Sequence, residues 1–207
     1  MTPSEEAIRR KKQLLRAEIR SRRVALPDKE LLSQAIWKRL VALPEYGRAR
    51  RVVLYIGHRS EVRTWPFLGD VWLSGKQIVV PYCENGELTL FRLEHRDDLE
   101  PGMLGILEPR LELRRTDSRE VCLEPSDLVV VPGVAFDRQG GRIGQGAGYY
   151  DRLLAQAPPG VTAVGIAFEC QLVDAIPVLP HDVPMHKVVT EAAVYQPQEG
   201  SVPQQTG

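Results

Sequence analysis

Ile8, Leu15, Ile19 and Leu26 recur at helical spacing, forming one apolar stripe on a helix that Pro27 ends. Ser4, Glu5 and Glu6 supply its start: a capping oxygen, then two acids at the positive end of the helix dipole. Lys12, Arg16 and Arg20 follow an i, i+4 row and are expected on a different face. A second helix is predicted from Asp28, burying Leu32, Ile36 and Leu40 and stopping at Leu43-Pro44. The period then changes. Val52-Val53-Leu54-Tyr55-Ile56 is short and nearly all apolar, the pattern of a strand covered on both faces. Thr64 is placed to cap a helix through Leu68, Val71 and Trp72, which Ser74-Gly75 terminates.

Gln77 to Pro81 reads as the next strand, and Asn85-Gly86 as the turn of a hairpin between Tyr82-Cys83 and Leu88 to Phe91. Leu128 to Pro132 is another buried strand, Tyr149 to Ala157 a short helix, Val161 to Phe168 a strand and Val188 to Tyr195 a last one. Strands alternating with helices predict an α/β fold: one three-layer domain over residues 4–195, on a mainly parallel sheet with helices on both faces and one antiparallel hairpin. Residues 196–207, polar and rich in Gln, Pro and Gly, read as a disordered tail.

Composition narrows the class. The three cysteines, Cys83, Cys122 and Cys170, are too scattered for a disulfide framework or a zinc site and are expected as small buried residues. No apolar run approaches the ~20 residues of a membrane span, and no secretory leader is evident. A reduced, cytoplasmic setting and no membrane partner are therefore expected. Lys plus Arg equal Asp plus Glu at 27 each, which argues against a nucleic-acid partner. The balance is uneven, however. Arg9, Arg10, Lys11, Lys12, Arg16, Arg20, Arg22 and Arg23 face only Glu5, Glu6 and Glu18 in the first 23 residues.

The chemistry concentrates in one stretch, PGVAFDRQGGRIGQGAGYYDRLL, residues 132–154. It reads as a buried strand end, a long glycine-rich loop and a helix. Alternating Gly144, Gly146 and Gly148 let successive backbone N–H groups approach one anion, and Arg142 adds a full positive charge. A Walker loop is excluded because Tyr149, not Lys, follows Gly148. A dinucleotide fingerprint is disfavoured because position 149 is not glycine and the loop lies late in the chain.

The stretch resembles the signature of the 5-formyltetrahydrofolate cyclo-ligase family. Other family-like pieces occur in order: Lys12-Gln-Leu-Leu-Arg16, Glu61-Val62-Arg63-Thr64, Gly105-Ile106-Leu107-Glu108-Pro109, Ala167-Phe168 with Gln171, Pro180-His181-Asp182 and Thr190-Glu191. The resemblance implies a fold shared with sugar-phosphate isomerase and CoA-transferase-like domains. It also implies an ATP- and Mg²⁺-dependent closure of 5-formyltetrahydrofolate to 5,10-methenyltetrahydrofolate, by phosphorylation of the formyl oxygen and attack of N10.

By the same resemblance, ATP would meet Lys12, Arg16, Arg142, Ile143, Gly144, Gln145, Gly146, Ala147, Gly148, Tyr149 and Tyr150. The reduced folate would meet Ile56, Glu61, Gln145, Gly146, Ala147, Gly148 and Tyr149, and Mg²⁺ would meet Asp151 and Asp182. Arg9, Arg10, Lys11, Arg22 and Arg23 keep the reading of a solvated face. A monomer acting on a small molecule is expected. Ala147 stands where relatives carry Gly or Lys and requires a negative φ, while Leu104 replaces a frequent aromatic and His186 a frequent Asp. His58, His95 and His186 are expected at the surface, and His181 beside Asp182 as its orienting group. Two alternatives remain at this stage: a relative using the ATP loop on another, for example thiamine-linked, substrate, and an RNA-binding module gripping through the basic helix. The low aromatic content, 6%, disfavours the second.

Overall fold

Five apolar runs pair in parallel because each buries side chains on both of its faces. In the computed structural model, which describes residues 5–102, 105–114 and 118–197, these are β1 (Arg51–Leu54), β2 (Gln77–Glu84), β7 (Leu128–Val131), β10 (Thr162–Ile166) and β11 (Lys187–Val189). Antiparallel edges complete one sheet: β3 (Glu87–Leu93) and β6 (Glu120–Val121) beyond β2, and β12 (Val194–Tyr195) beyond β11. The spatial order is β12-β11-β10-β7-β1-β2-β3-β6. The chain first runs from β1 outward to β2 and β3, then returns to β7 on the other side of β1. That reversal makes the carboxyl ends of β1 and β7 the topological switch point, where open α/β sheets place their ligands.

Alternate residues sort cleanly to two cores. Val52 and Leu54 of β1, Ile78 and Val80 of β2, and Leu128 and Val130 of β7 face α2 (Lys29–Val41), α3 (Pro44–Arg48) and α4 (Leu68–Leu73). Val53, Val79, Val129 and Val131 face α6 (Tyr149–Ala155) and the ring of Phe136. That ring lies so close to Gly133 and Gly165 that a Cβ on either would stand 2.4 Å from it. The three-layer α/β expectation is met, with a second antiparallel hairpin where one long last strand was expected. Val188 to Tyr195 breaks at Thr190, whose Oγ1 accepts the amides of Ala192 and Ala193 and so folds the chain back.

Other elements differ locally. Thr64 caps nothing; a 3-10 turn, Trp65–Phe67, precedes α4. The residues at Leu43-Pro44 stop α2 as expected, but Pro44 then opens the short α3 as its first residue. Gly75 ends α4 at φ +74°, and Asn85-Gly86 turns the β2–β3 hairpin with φ +50° and +82°, as a two-residue primed turn requires. Two small hairpins complete the fold: β4 (Leu99–Pro101) with β5 (Leu107–Pro109), and β8 (Ala135–Phe136) with β9 (Arg142–Ile143); a one-turn α5 (Leu111–Arg114) follows β5. Ser4, Leu104 and residues 198–207 of the tail lie outside the described residues.

The N-terminal helix α1 (Glu5–Ala25) does not join either main core. Ile19, fully buried, and Leu15 pack with Val134, Ala135, Ile143 and Ile176 in a small core of their own, over the carboxyl ends of the strands. The apolar stripe is correct but incomplete. Lys12 and Arg23 fall within it, at 5% and 6% exposure, because positions 8, 12, 15, 19, 23 and 26 form one continuous face.

Candidate active site

The site begins where β1 runs out. Tyr55 and Ile56 leave the sheet and the chain loops back on itself, pinned by Thr64: its Oγ1 donates to the Tyr55 carbonyl at 2.6 Å and accepts the Gly57 N–H at 2.9 Å. Only glycine serves at position 57, where a Cβ would stand 2.1 Å from the Val62 carbonyl oxygen. Inside this loop the His58 N–H donates to Glu61 Oε2 at 3.1 Å, and the Glu61 N–H donates to the His58 carbonyl at 3.0 Å. The Glu61 carboxylate is thereby held at the switch point.

The opposite wall is the glycine loop. The β8–β9 hairpin is locked by Asp137, which accepts the amides of Gln139, Gly141 and Ile176. It delivers Arg142 and Ile143, both buried, to the start of the loop. Gly146 at φ +120° and Gly148 at φ +67° need their freedom, whereas Ala147 keeps a negative φ, as its methyl requires. The next residues, Tyr149, Tyr150 and Asp151, form the first turn of α6.

Helix α1 closes the third side. Lys12 Nζ donates to Asp182 Oδ2, which also accepts the Leu179 N–H at 2.6 Å. Arg16 Nε donates to the Gly144 carbonyl at 2.9 Å, and Arg20 reaches Gln145. Arg142 Nη2 donates to Asp151 Oδ1 at 2.8 Å, where the Val183 N–H also arrives at 3.2 Å. Both candidate metal acids therefore face cations of the protein itself, each through a single oxygen, leaving Asp151 Oδ2 and Asp182 Oδ1 without a hydrogen bond among the described residues. Burial, then the neighbouring charge of Arg20, pulls the Arg16 guanidinium down, while Asp182 opposes this; an anion would relieve the crowding.

Together these walls enclose a cavity of about 540 Å³. Every residue the sequence nominated lines it: Lys12, Arg16, Ile56, Glu61, the run from Arg142 through Asp151, and Asp182. The guanidinium groups of Arg142 and Arg152 sit 5.8 and 5.2 Å from the ring centres of Tyr150 and Tyr149. Burial, then the Glu61 charge, pushes the Tyr150 hydroxyl far above the usual phenol range. The volume suits a drug-sized ligand. Lys12, Arg16 and Arg142 share this lining with the Glu61 carboxylate, a set of groups for an anionic ligand that also carries hydrogen-bond donors.

Several expectations are corrected here. Arg23 is not solvated: its Nε donates to Ser60 Oγ at 3.1 Å and its Nη1 to the Gly133 carbonyl at 3.2 Å, tying α1 to both switch-point loops. His58 is not a surface residue but part of the cavity wall. Cys83 and Cys122 are exposed rather than buried, and Cys83 borders the cavity. Partial desolvation of its sulfur, then the charge of Glu108, pushes the Cys83 thiol up. His181 is exposed and does not orient Asp182, whose hydrogen-bond partners are Lys12 and the Leu179 amide. His95 and His186 are exposed as expected, and His186 Nδ1 accepts the Ala163 N–H at 3.0 Å.

A family model described as the 5-formyltetrahydrofolate cyclo-ligase family matches residues 8–191. The 5-formyltetrahydrofolate cyclo-ligase of Escherichia coli K12 is 33% identical, over 86% of this chain and 99% of that protein. The protein of the same name from Haemophilus influenzae is 28% identical over 86% and 97%. Among solved structures, the 5,10-methenyltetrahydrofolate synthetase of Aquifex aeolicus superposes with a TM-score of 0.77 at 33% identity, covering 93% of this chain and 96% of that one. The Mycoplasma pneumoniae synthetase gives 0.65 at 25% identity, over 87% and 98%.

Proposed function

Since the chain belongs to the 5-formyltetrahydrofolate cyclo-ligase family, we propose that it converts 5-formyltetrahydrofolate to 5,10-methenyltetrahydrofolate, with ATP leaving as ADP and phosphate. The observation that carries this reading is the convergence of α1, the glycine loop and Glu61 on one cavity at the switch point.

The formyl oxygen attacks the γ-phosphorus, the bond to the ADP oxygen breaks, and the formyl carbon becomes electrophilic. N10 then attacks that carbon, N10 loses its proton, and the C–O bond breaks to release phosphate. Chemistry of this kind needs positioning and charge stabilisation more than a covalent nucleophile. Lys12, Arg16, Arg142 and the amides of residues 143–150 would cradle the phosphates. Gln145 through Tyr149 would border both substrates. Ile56 gives the folate an apolar wall, and Glu61 accepts N–H bonds from its heterocycle. Asp151 and Asp182 are the residues that would hold a Mg²⁺ keeping waters and nucleotide oxygens, since each has one hard carboxylate oxygen without a hydrogen bond among the described residues. Bound there, the ion would neutralise phosphate charge.

We also propose a cytoplasmic monomer without a nucleic-acid partner: Lys12 and Arg23 turn inward rather than onto a basic surface. No helix among the described residues is long and apolar enough to cross a membrane. The test is direct. Purified protein with 5-formyltetrahydrofolate, ATP and Mg²⁺ should develop the near-UV absorbance of the methenyl product and lose the activity to a chelator. Absence of that signal together with nucleotide turnover on another substrate would overturn the reading.

A further inference from the structure

Among the described residues, three buried side-chain nitrogens have no hydrogen-bond partner: His58 Nε2, Arg92 Nε and Arg142 Nε. Arg142 belongs to the phosphate side already discussed. Arg92 lies in a separate open groove beside Trp72 and Lys76, where its guanidinium still meets Glu94 at 3.3 Å. His58 is different. Its imidazole stands in the wall of the main cavity, between Ile56 and Glu61, and the mechanism above gives it no task.

A buried polar atom left unpaired destabilises the fold, so its retention calls for a partner that arrives with a ligand. The backbone around it is built to hold the ring in place. The N–H of His58 binds Glu61 Oε2, so ring and carboxylate are fixed by one short loop that Thr64 pins at its base. Gly105, at φ +75°, faces the ring with no side chain, and even a Cβ there would stand 3.8 Å from Cε1. Glycine at this position keeps the chain from crowding the imidazole in the cavity wall.

We propose that His58 is a second polar anchor for the substrate's heterocycle, its Nε2 hydrogen-bonding a ring nitrogen or oxygen on the edge that Glu61 engages. The inference rests on the folate reading. A reduced pterin edge alternates donors and acceptors, and a neutral imidazole nitrogen serves as either, according to its tautomer. Glu61, acceptor-only when ionised, cannot match an acceptor on that edge; His58 can. Closure from water strengthens the bond once formed.

Two opposite effects of one substitution test this. His58→Leu removes the orphaned nitrogen, so the free protein should melt at an equal or higher temperature, while KM for 5-formyltetrahydrofolate rises roughly fivefold and KM for ATP stays within about twofold. His58→Gln places an amide nitrogen where Nε2 was and should recover most of the folate KM. His58→Asn places its amide near Nδ1 and should not. Should the Leu variant fail to fold, the Gln–Asn pair carries the test. An unchanged folate KM, equal rises for both substrates, or Gln no better than Asn would overturn the anchor and leave the folate reading standing. A wild-type protein inert toward 5-formyltetrahydrofolate would overturn both.

Discussion

Lys12→Met is the sharpest perturbation of the site, because Lys12 has one partner in the free protein and is assigned another in the nucleotide complex. Its pair with Asp182 is nearly closed to solvent, with side-chain exposures of 7% and 17%, so the near-zero value of surface pairs does not apply. Removing one member of a fully buried pair typically costs about 3–5 kcal/mol. Asp182 retains the Leu179 amide and some access to water, which lowers the expected loss to about 2 kcal/mol. In a chain of this length that is a fall in Tm of roughly 4–8 °C. Loss of one charge-assisted bond to phosphate, again about 2 kcal/mol, should raise KM for ATP about thirtyfold. KM for the folate should stay within about twofold, since Lys12 is assigned to phosphate. Steady-state kinetics with each substrate varied in turn, and melting curves of Lys12→Met, Asp182→Asn and the double variant, supply the measurements. Equal rises in both KM values, or additive Tm losses in the double variant, would refute the assignment.

Gly146→Ala should raise the ATP KM by tenfold or more and lower Tm, since φ +120° suits only glycine, at a cost of about 1–3 kcal/mol; Ala147→Gly, at negative φ, should change the ATP KM little. Asp98 is pulled up by burial, but the amides of His95 and Glu94 and the guanidinium of Arg119 outweigh that and hold it below the usual carboxylate range. Its contribution is therefore present above the unfolded pKa near 3.8 and lost as pH falls through the lower folded value; Asp98→Asn should be less stable than wild type at pH 7 and converge with it once acid denaturation is followed below that folded value. Tyr55 and Tyr150, both raised chiefly by burial, stay protonated in the fold and favour it until the unfolded chain ionises near pH 10. Phenolate absorbance should then show these two titrating only with unfolding.

Much of this was legible because apolar runs report burial directly. Val52 to Leu54, Ile78 to Val80 and Leu128 to Val131 can only be strands covered on both faces, and Asn85-Gly86 names its own turn. The glycine loop was legible because its spacing has a backbone meaning. What escaped depends on partners distant in sequence. Arg23 reads as solvated until Ser60 and Gly133 are brought to it, and Lys12 hides in an apolar stripe because Asp182 lies 170 residues away. Thr64 and Thr190 both looked like ordinary helix or strand residues. Each instead spends its hydroxyl on a loop, which composition cannot distinguish. His58 had only its place between Ile56 and Glu61 as a clue, and no pattern marks a buried nitrogen left without a partner.

Two cations of the cavity already carry carboxylate partners at rest, Lys12 with Asp182 and Arg142 with Asp151. Cations paired in this way project less field into solvent and give passing polyanions less reason to linger. Such a site selects by exchange rather than by attraction, favouring a ligand that arrives with phosphates for Lys12 and Arg142 and a cation for the carboxylates they release. Ionic strength should accordingly touch the nucleotide on-rate far less than an open basic patch would suffer. Discrimination against stray anions is then a property of the empty pocket, set before any substrate enters.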